Sequence, residues 1–274
     1  YVQLKKAGKN FMGLCPFHAE KAPSFTVSPD RQMFHCFGCK KGGDVFAFWM
    51  EYHGMTFPET LKDLAERYNI TIVETFSSDE EKKRTRLREA LFKINQMAMQ
   101  YFQEALGQAE RGNPAAEYLK KRALSTQIIS EFRLGYAPDT WDGLTLYLKH
   151  RRIDLERAVQ AGLIIPKKGG GYYDRFRGRV MFPIFNLRGQ VIGFGGRVLN
   201  DALPKYLNTP ETPLFHKGEF PYGLHASYKA IRQKGGAVIV EGYMDLLALK
   251  KYGLEEVVAT LGTALTQDHW NSAA

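Results

Sequence analysis

Four residues near the start of the chain have the types and spacing of a metal site. Cys15 and His18 form a C-x2-H pair, and Cys36 and Cys39 form a C-x2-C pair. A two-residue gap lets both side chains of a pair converge on one ion, and the stretch between the pairs reads as a hairpin that brings them together. The set closes a tetrahedral Cys3His site, the coordination of a structural zinc ion. No coordination position stays open for substrate, so the expected zinc holds the fold, and a domain this small is expected to need it. Gly38 suits the tight turn of a zinc knuckle, where backbone N–H groups point at sulfur. His35 is set aside as a ligand, because adjacent residues on a strand point to opposite faces. The cysteines all fall between Cys15 and Cys39, which speaks against a disulfide framework and for a reducing compartment. Phe25, Phe34 and Phe37 have the chemistry to stack on unpaired bases, although filling a small core is the commoner use of such rings.

The chain has 274 residues and a formal charge of +9, and the charge is unevenly placed. Between Lys167 and Lys217 there are nine Lys and Arg against three Asp and Glu, so most of the excess lies in about a fifth of the chain. A concentrated basic segment is the footprint of a phosphate-bearing partner. Within it, Arg175, Arg177 and Arg179 are spaced by two. On an extended strand they would share one face and present a row of guanidinium forks. Tyr206 has a ring able to stack on a base or to pack.

These residues need elements to hold them. Ser24–Val27 and Gln32–His35 read as strands around a Ser28-Pro29-Asp30-Arg31 turn. A helix opens at Asp44 as N-cap and stops at Gly54. A second opens with a capping box from Thr56 to Glu59 and carries Leu61, Leu64, Ala65 and Tyr68 on one face. Ile70–Val73 is too short to place. The polar run Ser77–Arg84 reads as a linker. Leu87, Ala90, Leu91, Ile94, Met97, Ala98 and Tyr101 make the apolar stripe of a packed helix. Short helices are expected over Pro114–Leu124 and Ser125–Arg133. Val180–Phe185 and Gln190–Phe194 form a hairpin around Gly189. Ala237–Glu241 has a buried-strand pattern, followed by a helix from Met244 to Lys251 closed by Gly253, and by a second strand over Glu256–Thr260. Strand, helix, strand in this order is a βαβ unit of a parallel sheet.

The fold class expected is therefore a multidomain α+β and α/β chain, a small zinc-ribbon β domain followed by a mixed α/β domain that leads into a parallel sheet. The boundaries are 1–74 for the ribbon and its helical tail, 75–86 for the linker, 87–234 for the mixed domain and 235–274 for the start of the parallel-sheet fold. An apolar content of 44% fits folded domains. No run approaches the length of a membrane span, and residues 1–10 lack a secretion signal, so no membrane partner is expected. The chain reads as a piece cut at both ends.

Cys15-Pro16-Phe17-His18, Glu20-Lys21-x-Pro23-Ser24-Phe25, His35-Cys36-Phe37-Gly38-Cys39 and Gly43-Asp44 resemble the zinc-binding domain of bacterial DNA primases of the DnaG type. Asp174-Arg175-Phe176-Arg177-Gly178-Arg179, Gly193-Phe194-Gly195-Gly196-Arg197, Pro204-Lys205-Tyr206-Leu207-Asn208 and Phe215-His216-Lys217-Gly218 resemble that family's polymerase-domain motifs, in the family's order. Val240-Glu241-Gly242-Tyr243-Met244-Asp245 resembles the opening of the toprim catalytic fold.

The resemblance implies DNA-templated synthesis of RNA primers by two-metal nucleotidyl transfer, with Mg²⁺ or Mn²⁺ as catalytic cofactor. Glu241, at the carboxyl end of the first parallel strand, is the candidate metal ligand or acid–base group. Asp245, one helical turn on, can face the same region. Arg197, Lys205 and Lys217 match basic positions the family uses for template and nucleotide, and Arg122 in Leu119-Lys120-Lys121-Arg122 resembles a further one. The implied partners are single-stranded DNA, ribonucleoside triphosphates and, through a region outside this chain, the replicative helicase. A monomer in the bacterial cytoplasm, associated with the replisome, is expected.

The family's Asp-x-Asp motif would lie beyond Ala274. The chain alone is therefore expected to bind zinc and single-stranded DNA but to polymerise poorly. The competing readings are a non-catalytic zinc-ribbon and toprim binding module, and another toprim enzyme such as a topoisomerase or a phage primase–helicase. The sequence contains no Walker A motif.

Overall fold

A computed structural model describes residues 1–71, 79–107 and 113–261 of the chain. The structure divides into two compact units, Tyr1–Ser77 with Lys229–Gly236, and Ser78–Tyr228 with Ala237–Ala274.

The first unit is built on a five-stranded antiparallel sheet in sequential order, β1 (Lys5–Ala7), β2 (Asn10–Gly13), β3 (Phe25–Ser28), β4 (Met33–Cys36) and β5 (Gly42–Gly43). The register aligns Phe11 with Val27 and Val27 with Phe34, so side chains of alternate residues on three strands share one face, buried at Phe25, Phe34 and Cys36 and open at Phe11. The β3–β4 turn closes through Gln32 N–H donating to Pro29 O at 3.1 Å. Helix α1 (Val45–His53) starts where the Asp44 carboxylate accepts from Ala47 N–H at 2.9 Å and stops at Gly54, whose φ of 64° suits glycine. Helix α2 (Phe57–Arg67) carries the expected Thr56–Glu59 capping box. Trp49 Nε1 donates to Asp63 Oδ2 at 2.7 Å and ties α1 to α2.

The second unit opens with the long helix α3 (Asp79–Gly107). The charged run that reads as a linker is thus helical from Asp79 onward. Its three leading acids sit on the first turn, where the helix dipole favours them, and its lack of apolar residues records exposure rather than absence of structure. Residues 72–78 lie outside the described residues, as does part of Ile70–Val73. Helices α4 (Pro114–Lys121) and α5 (Thr126–Glu131) follow, then β6 (Gly135–Ala137), α6 (Gly143–His150), α7 (Leu155–Gln160) and the hairpin β7 (Ile164–Pro166) and β8 (Tyr172–Asp174).

The central sheet is antiparallel, with β9 (Arg179–Phe185), β10 (Val191–Val198) and β11 (Tyr206–Asn208) in the order β11-β10-β9-β6. Helix α3 lays Leu91, Ile94, Ala98, Met99 and Phe102 against this sheet. Phe102 meets Phe194 edge to face at 5.5 Å, and Asn95 Nδ2 donates to Val191 O at 3.1 Å. After α8 (Leu224–Lys234), β12 (Val238–Val240) and β13 (Val257–Ala259) pair in parallel on either side of α9 (Tyr243–Lys251) in sequence, the expected βαβ unit. Strand β13 is buried, whereas Val238 and Ile239 of β12 are exposed. The continuous apolar run of β12 is therefore not a buried strand here, because among the described residues β13 is its sole neighbour.

Asp174 ends β8 and is buried. Its carboxylate accepts from Leu144 N–H at 2.7 Å, Thr145 N–H at 2.9 Å and Thr145 Oγ1 at 2.7 Å. It thus caps α6 from another element, where the local N-cap Asp142 makes no side-chain bond. Asp174→Ala is expected to lower unfolding stability by about 1–3 kcal/mol, the cost of leaving buried donors unpaired, measured by urea denaturation.

Candidate metal centre and nucleic-acid interface

Cys15 follows β2, Cys36 ends β4, and Cys39 lies in the turn after it, while His18 sits in the loop before β3. Their four ligand atoms lie within 4.8 Å of one another. Cys15 Sγ and Cys39 Sγ are 3.8 Å apart, and Cys36 Sγ and His18 Nδ1 are 3.7 Å apart. With metal–sulfur bonds of about 2.3 Å, those separations are the edges of a tetrahedron around one zinc ion. The donor set and its geometry fit zinc. Backbone N–H groups point at sulfur as expected, from Phe17 to Cys15 at 3.3 Å and from Cys39 to Cys36 at 3.4 Å. Burial pushes the Cys15 thiol up to about 12. Burial acts the same way on Cys36, but its hydrogen bonds with Ser24 Oγ and Cys39 N–H bring that thiol down to about 6.

A carboxylate absent from the sequence reading of the site supports the cluster. Glu20 Oε2 lies 3.2 Å from His18 Nε2, leaving Nδ1 to face the sulfurs. This carboxylate–histidine pairing fixes the orientation of the ring. Glu20 Oε1 also accepts from Cys15 N–H at 2.7 Å and from Ser24 N–H at 3.2 Å. Burial pushes the Glu20 carboxyl up, but these bonds and Ser24 Oγ outweigh it, and the net shift is downward. Gly38 is required for a reason other than the expected turn. A Cβ there would lie 2.5 Å from His18 Nε2 and 3.0 Å from Ser24 Oγ, whereas the positive φ of the turn falls on Lys40. Phe25 and Phe34 are 1% and 6% exposed and pack with Phe17 and Phe48 around the cluster, so they are core and not stacking platforms. Phe37 is 61% exposed and meets His35 edge to face.

The basic residues of the second unit do not form the strand-borne row that their spacing suggests. Only Arg179 lies in β9; Arg175 and Arg177 precede it, and Gly178, with φ of 58°, turns the chain between them. Arg175 is half-buried, and burial pulls its guanidinium down. Arg177 lies over the rings of Trp141 at 4.4 Å and Tyr173 at 5.5 Å, and it donates to Asp174 O. Arg179 is buried, and its fork donates to the carbonyls of Pro204 at 3.0 Å, Gly196 at 3.2 Å and Lys205 at 3.4 Å. It braces the segment before β11 rather than facing solvent.

The register of β10 against β11 sets Arg197 opposite Tyr206 and Gly195 opposite Asn208. Residues two apart on a strand share a face, so these four form one patch. Arg197 lies 4.4 Å from the Tyr118 ring centroid and 5.8 Å from that of Tyr206, and Arg122 lies 5.3 Å from Tyr118. Tyr206 in turn stacks on Tyr243 at 6.0 Å. Tyr243 is buried, stacks on Phe182 at 4.6 Å and donates to Asn208 Oδ1 at 2.8 Å. Burial raises its phenol well above the ordinary value, so it remains a neutral donor. Glycine at 195 makes this approach possible, since a Cβ there would sit 2.0 Å from the Tyr243 hydroxyl.

Tyr243 thereby anchors α9 against the central sheet and places the carboxylates two positions to either side of it. Glu241 is exposed at the end of β12, and Asp245 is exposed on the first turn of α9. A Cβ at Gly242 would lie 3.3 Å from Asp245 Oδ2, so the carboxylate folds back over the strand–helix turn. The Asp245 charge contributes to raising the Tyr206 phenol, after burial as the main cause. Among the described residues, Glu241 and Asp245 are not part of a group of three candidate metal ligands. Lys205 is exposed just before Tyr206. Lys217 is exposed in a separate loop, where its N–H donates to Glu211 Oε1 at 2.9 Å. Tyr118 and Trp141 were missed by sequence reasoning, because an i, i+4 aromatic–arginine pair on a helix and a lone loop tryptophan carry no motif signal.

A cysteine–histidine ribbon, an arginine-bearing antiparallel sheet and a βαβ unit with a carboxylate at its turn define a zinc-ribbon and toprim-type fold. The comparisons with known proteins agree element by element. Residues 1–81 match the CHC2 zinc finger model, residues 101–228 the DNA primase catalytic core N-terminal domain, and residues 235–273 the Toprim domain. The chain is 46% identical over 269 residues to a DNA primase of Halalkalibacterium halodurans, covering 98% of this chain and 45% of that protein. It is similar to the crystal structure of the Aquifex aeolicus primase zinc-binding and RNA polymerase domains, with a TM-score of 0.62, 38% identity, and coverage of 99% of this chain and 64% of that one. A DnaG primase catalytic domain bound to ssDNA matches with a TM-score of 0.62 and 42% identity over 68% of this chain and 60% of that one. The chain belongs to the DnaG-type bacterial DNA primase family. It spans just under half the length of the curated relatives it matches.

Gly38→Ala is expected to lose zinc to a chelator under conditions in which the parent chain retains it, read as zinc content after dialysis. Glu20→Gln is expected to weaken zinc affinity by about 10–100-fold, the effect of removing an outer-shell partner, measured by competition with a colorimetric chelator.

Proposed function

We propose that this chain is the zinc-binding and template-handling part of a primase that makes short RNA primers on single-stranded DNA. The observation that carries the reading is the joining, through Tyr206 and Tyr243, of a patch of arginines to a strand-end carboxylate pair. In the proposed reaction a primer 3′-hydroxyl attacks the α-phosphate of a ribonucleoside triphosphate. A new O–P bond forms, the bond to the bridging α–β oxygen breaks, and pyrophosphate leaves.

Cys15, His18, Cys36 and Cys39 would hold zinc, whose chemistry here is structural. Glu241, with Asp245 beside it, would hold Mg²⁺, an ion commonly bound by one or two carboxylates together with substrate phosphates. That ion supplies neutralisation of developing charge when bound. Arg122, Arg175, Arg177, Arg197, Lys205 and Lys217 are assigned to the anionic strand or nucleotide, Tyr206 to a base or to positioning Arg197, and Arg179 to bracing the segment that carries Lys205. A domain division into residues 1–74, 87–234 and 235–274 is part of the same proposal, with the helical start of α3 replacing most of the linker. No helix of the described residues is long and apolar enough to cross a membrane. We place the protein in the bacterial cytoplasm with the replication machinery, and a replicative helicase is the further partner proposed for the full-length protein.

In the full-length protein Glu241→Gln is expected to lower radiolabelled primer yield by about 10²-fold or more while leaving template binding in place. Unchanged yield would remove Glu241 from the reaction. The Arg175→Ala, Arg177→Ala, Arg197→Ala triple variant is expected to bind single-stranded DNA more weakly and with a flatter dependence on salt. The log–log slope should fall by about 0.7 for each phosphate no longer neutralised.

A further inference from the structure

Arg122 and Arg197 arrive at the same place from different elements. Arg122 is the C-cap residue of α4, and its N–H donates to Tyr118 O at 3.0 Å. Arg197 projects from β10. Both guanidinium groups rest on one ring, that of Tyr118, at 5.3 and 4.4 Å from its centroid. The Tyr118 hydroxyl is buried and makes no hydrogen bond, so it is the ring face that is used. Arg197 Nε is also buried without a hydrogen-bond partner. Among the described residues, no carboxylate forms an ion pair with either arginine. A buried donor left unpaired is rare and calls for an explanation. Two cations resting on one ring without a carboxylate partner would be completed by an anion.

We propose that Tyr118 is a positioning residue of the template-binding face. Its quadrupole holds Arg122 and Arg197 as one pre-oriented pair of forks, ready for the phosphates of a single strand. The inference rests on the reading of this face as the template site, and it assigns to Tyr118 a role that none of its own polar atoms performs. A long arginine side chain samples many rotamers when unpaired, and a carboxylate partner would fix it only by cancelling the charge that a polyanion needs. An aromatic face fixes the guanidinium plane and leaves its edge N–H groups for phosphate. Because the ring sits between a helix end and a strand, it also sets the distance between two cations that the sequence places 75 positions apart.

The test is fluorescence anisotropy of a labelled oligodeoxynucleotide with the full-length protein across a salt series, for four substitutions at Tyr118 and for Arg122→Ala and Arg197→Ala. Tyr118→Phe keeps the ring and drops only the unbonded hydroxyl, and it is expected to bind like the parent. Tyr118→Leu, and pentafluorophenylalanine at the same position, which keeps the shape but inverts the ring quadrupole, are expected to weaken binding about two- to fivefold. They should also flatten the salt slope by up to about 0.7, the change for a single phosphate. In the Arg122→Ala, Arg197→Ala background, Tyr118→Leu should have no further effect. If pentafluorophenylalanine, in a protein whose melting temperature is unchanged, binds as tightly as Tyr118→Phe while the arginine variants bind weakly, the positioning role is overturned and the template site stands. If the arginine variants themselves bind like the parent, the reading of the face as the template site falls first. Tyr118→Ala serves as the packing control, since a purely structural ring would lower the melting temperature with no change in salt slope.

Discussion

On the proposed reading the second unit meets a polyanion, and such a surface must keep its cations fixed and unneutralised at once. The commonest way to fix an arginine is a carboxylate partner, which would cancel the charge. Among the described residues, Arg122, Arg175, Arg177, Arg179 and Arg197 have no such partner. Aromatic faces take its place: Tyr118 for Arg122 and Arg197, Tyr206 for Arg197, Trp141 and Tyr173 for Arg177. Arg179 is held by carbonyl oxygens instead, and there the charge serves the fold. Burial pulls down the guanidinium groups of both Arg175 and Arg179, yet an arginine remains charged through any such shift at neutral pH.

The same patch explains why Tyr243 lies inside the acidic motif. Its ring stacks between Phe182 and Tyr206, and its hydroxyl reaches Asn208, so the turn that bears Glu241 and Asp245 is registered to the strand that bears Arg197. Glycine at 195 is a packing requirement of that registration and not a feature of flexibility. In the proposed nucleotidyl transfer such registration would align the reacting atoms before any charge develops. The acidic pair could be placed by the βαβ unit alone; its distance from the cations could not.

In the first unit, a small sheet packs its aromatic side chains beside the ligand cluster. Phe17, Phe25, Phe34 and Phe48 pack as a shell of rings beside the sulfurs. Glu20 ties the loop of His18 to the backbone of Cys15 and Ser24, which makes one carboxylate both a support for the ligand and a brace for the loop. The side chains so held leave no room for a Cβ at Gly38, which would meet His18 and Ser24.

Local sequence determined what is decided by neighbours in the chain. The Cys3His pairs, the Asp44 and Thr56 helix starts, the hairpin turning at Gly189 and the strand–helix–strand run ending in β13 are all legible, because spacing, capping and period act within a few residues. The acids of 79–84 resemble a linker because a solvent-facing first turn has no apolar period to detect. Helix α6 and its capping by Asp174 lacked a local signal, since the hydrogen-bond partner comes from elsewhere in the chain. Which basic residues face outward was likewise set by tertiary structure. The i, i+2 spacing of Arg175, Arg177 and Arg179 described a strand, but Gly178 turned the chain, Phe176 entered the core and the three guanidinium groups went three ways. Residue type and spacing state which chemistry is available; only packing decides which charges are left free to perform it, because burial and pairing are properties of three-dimensional neighbours.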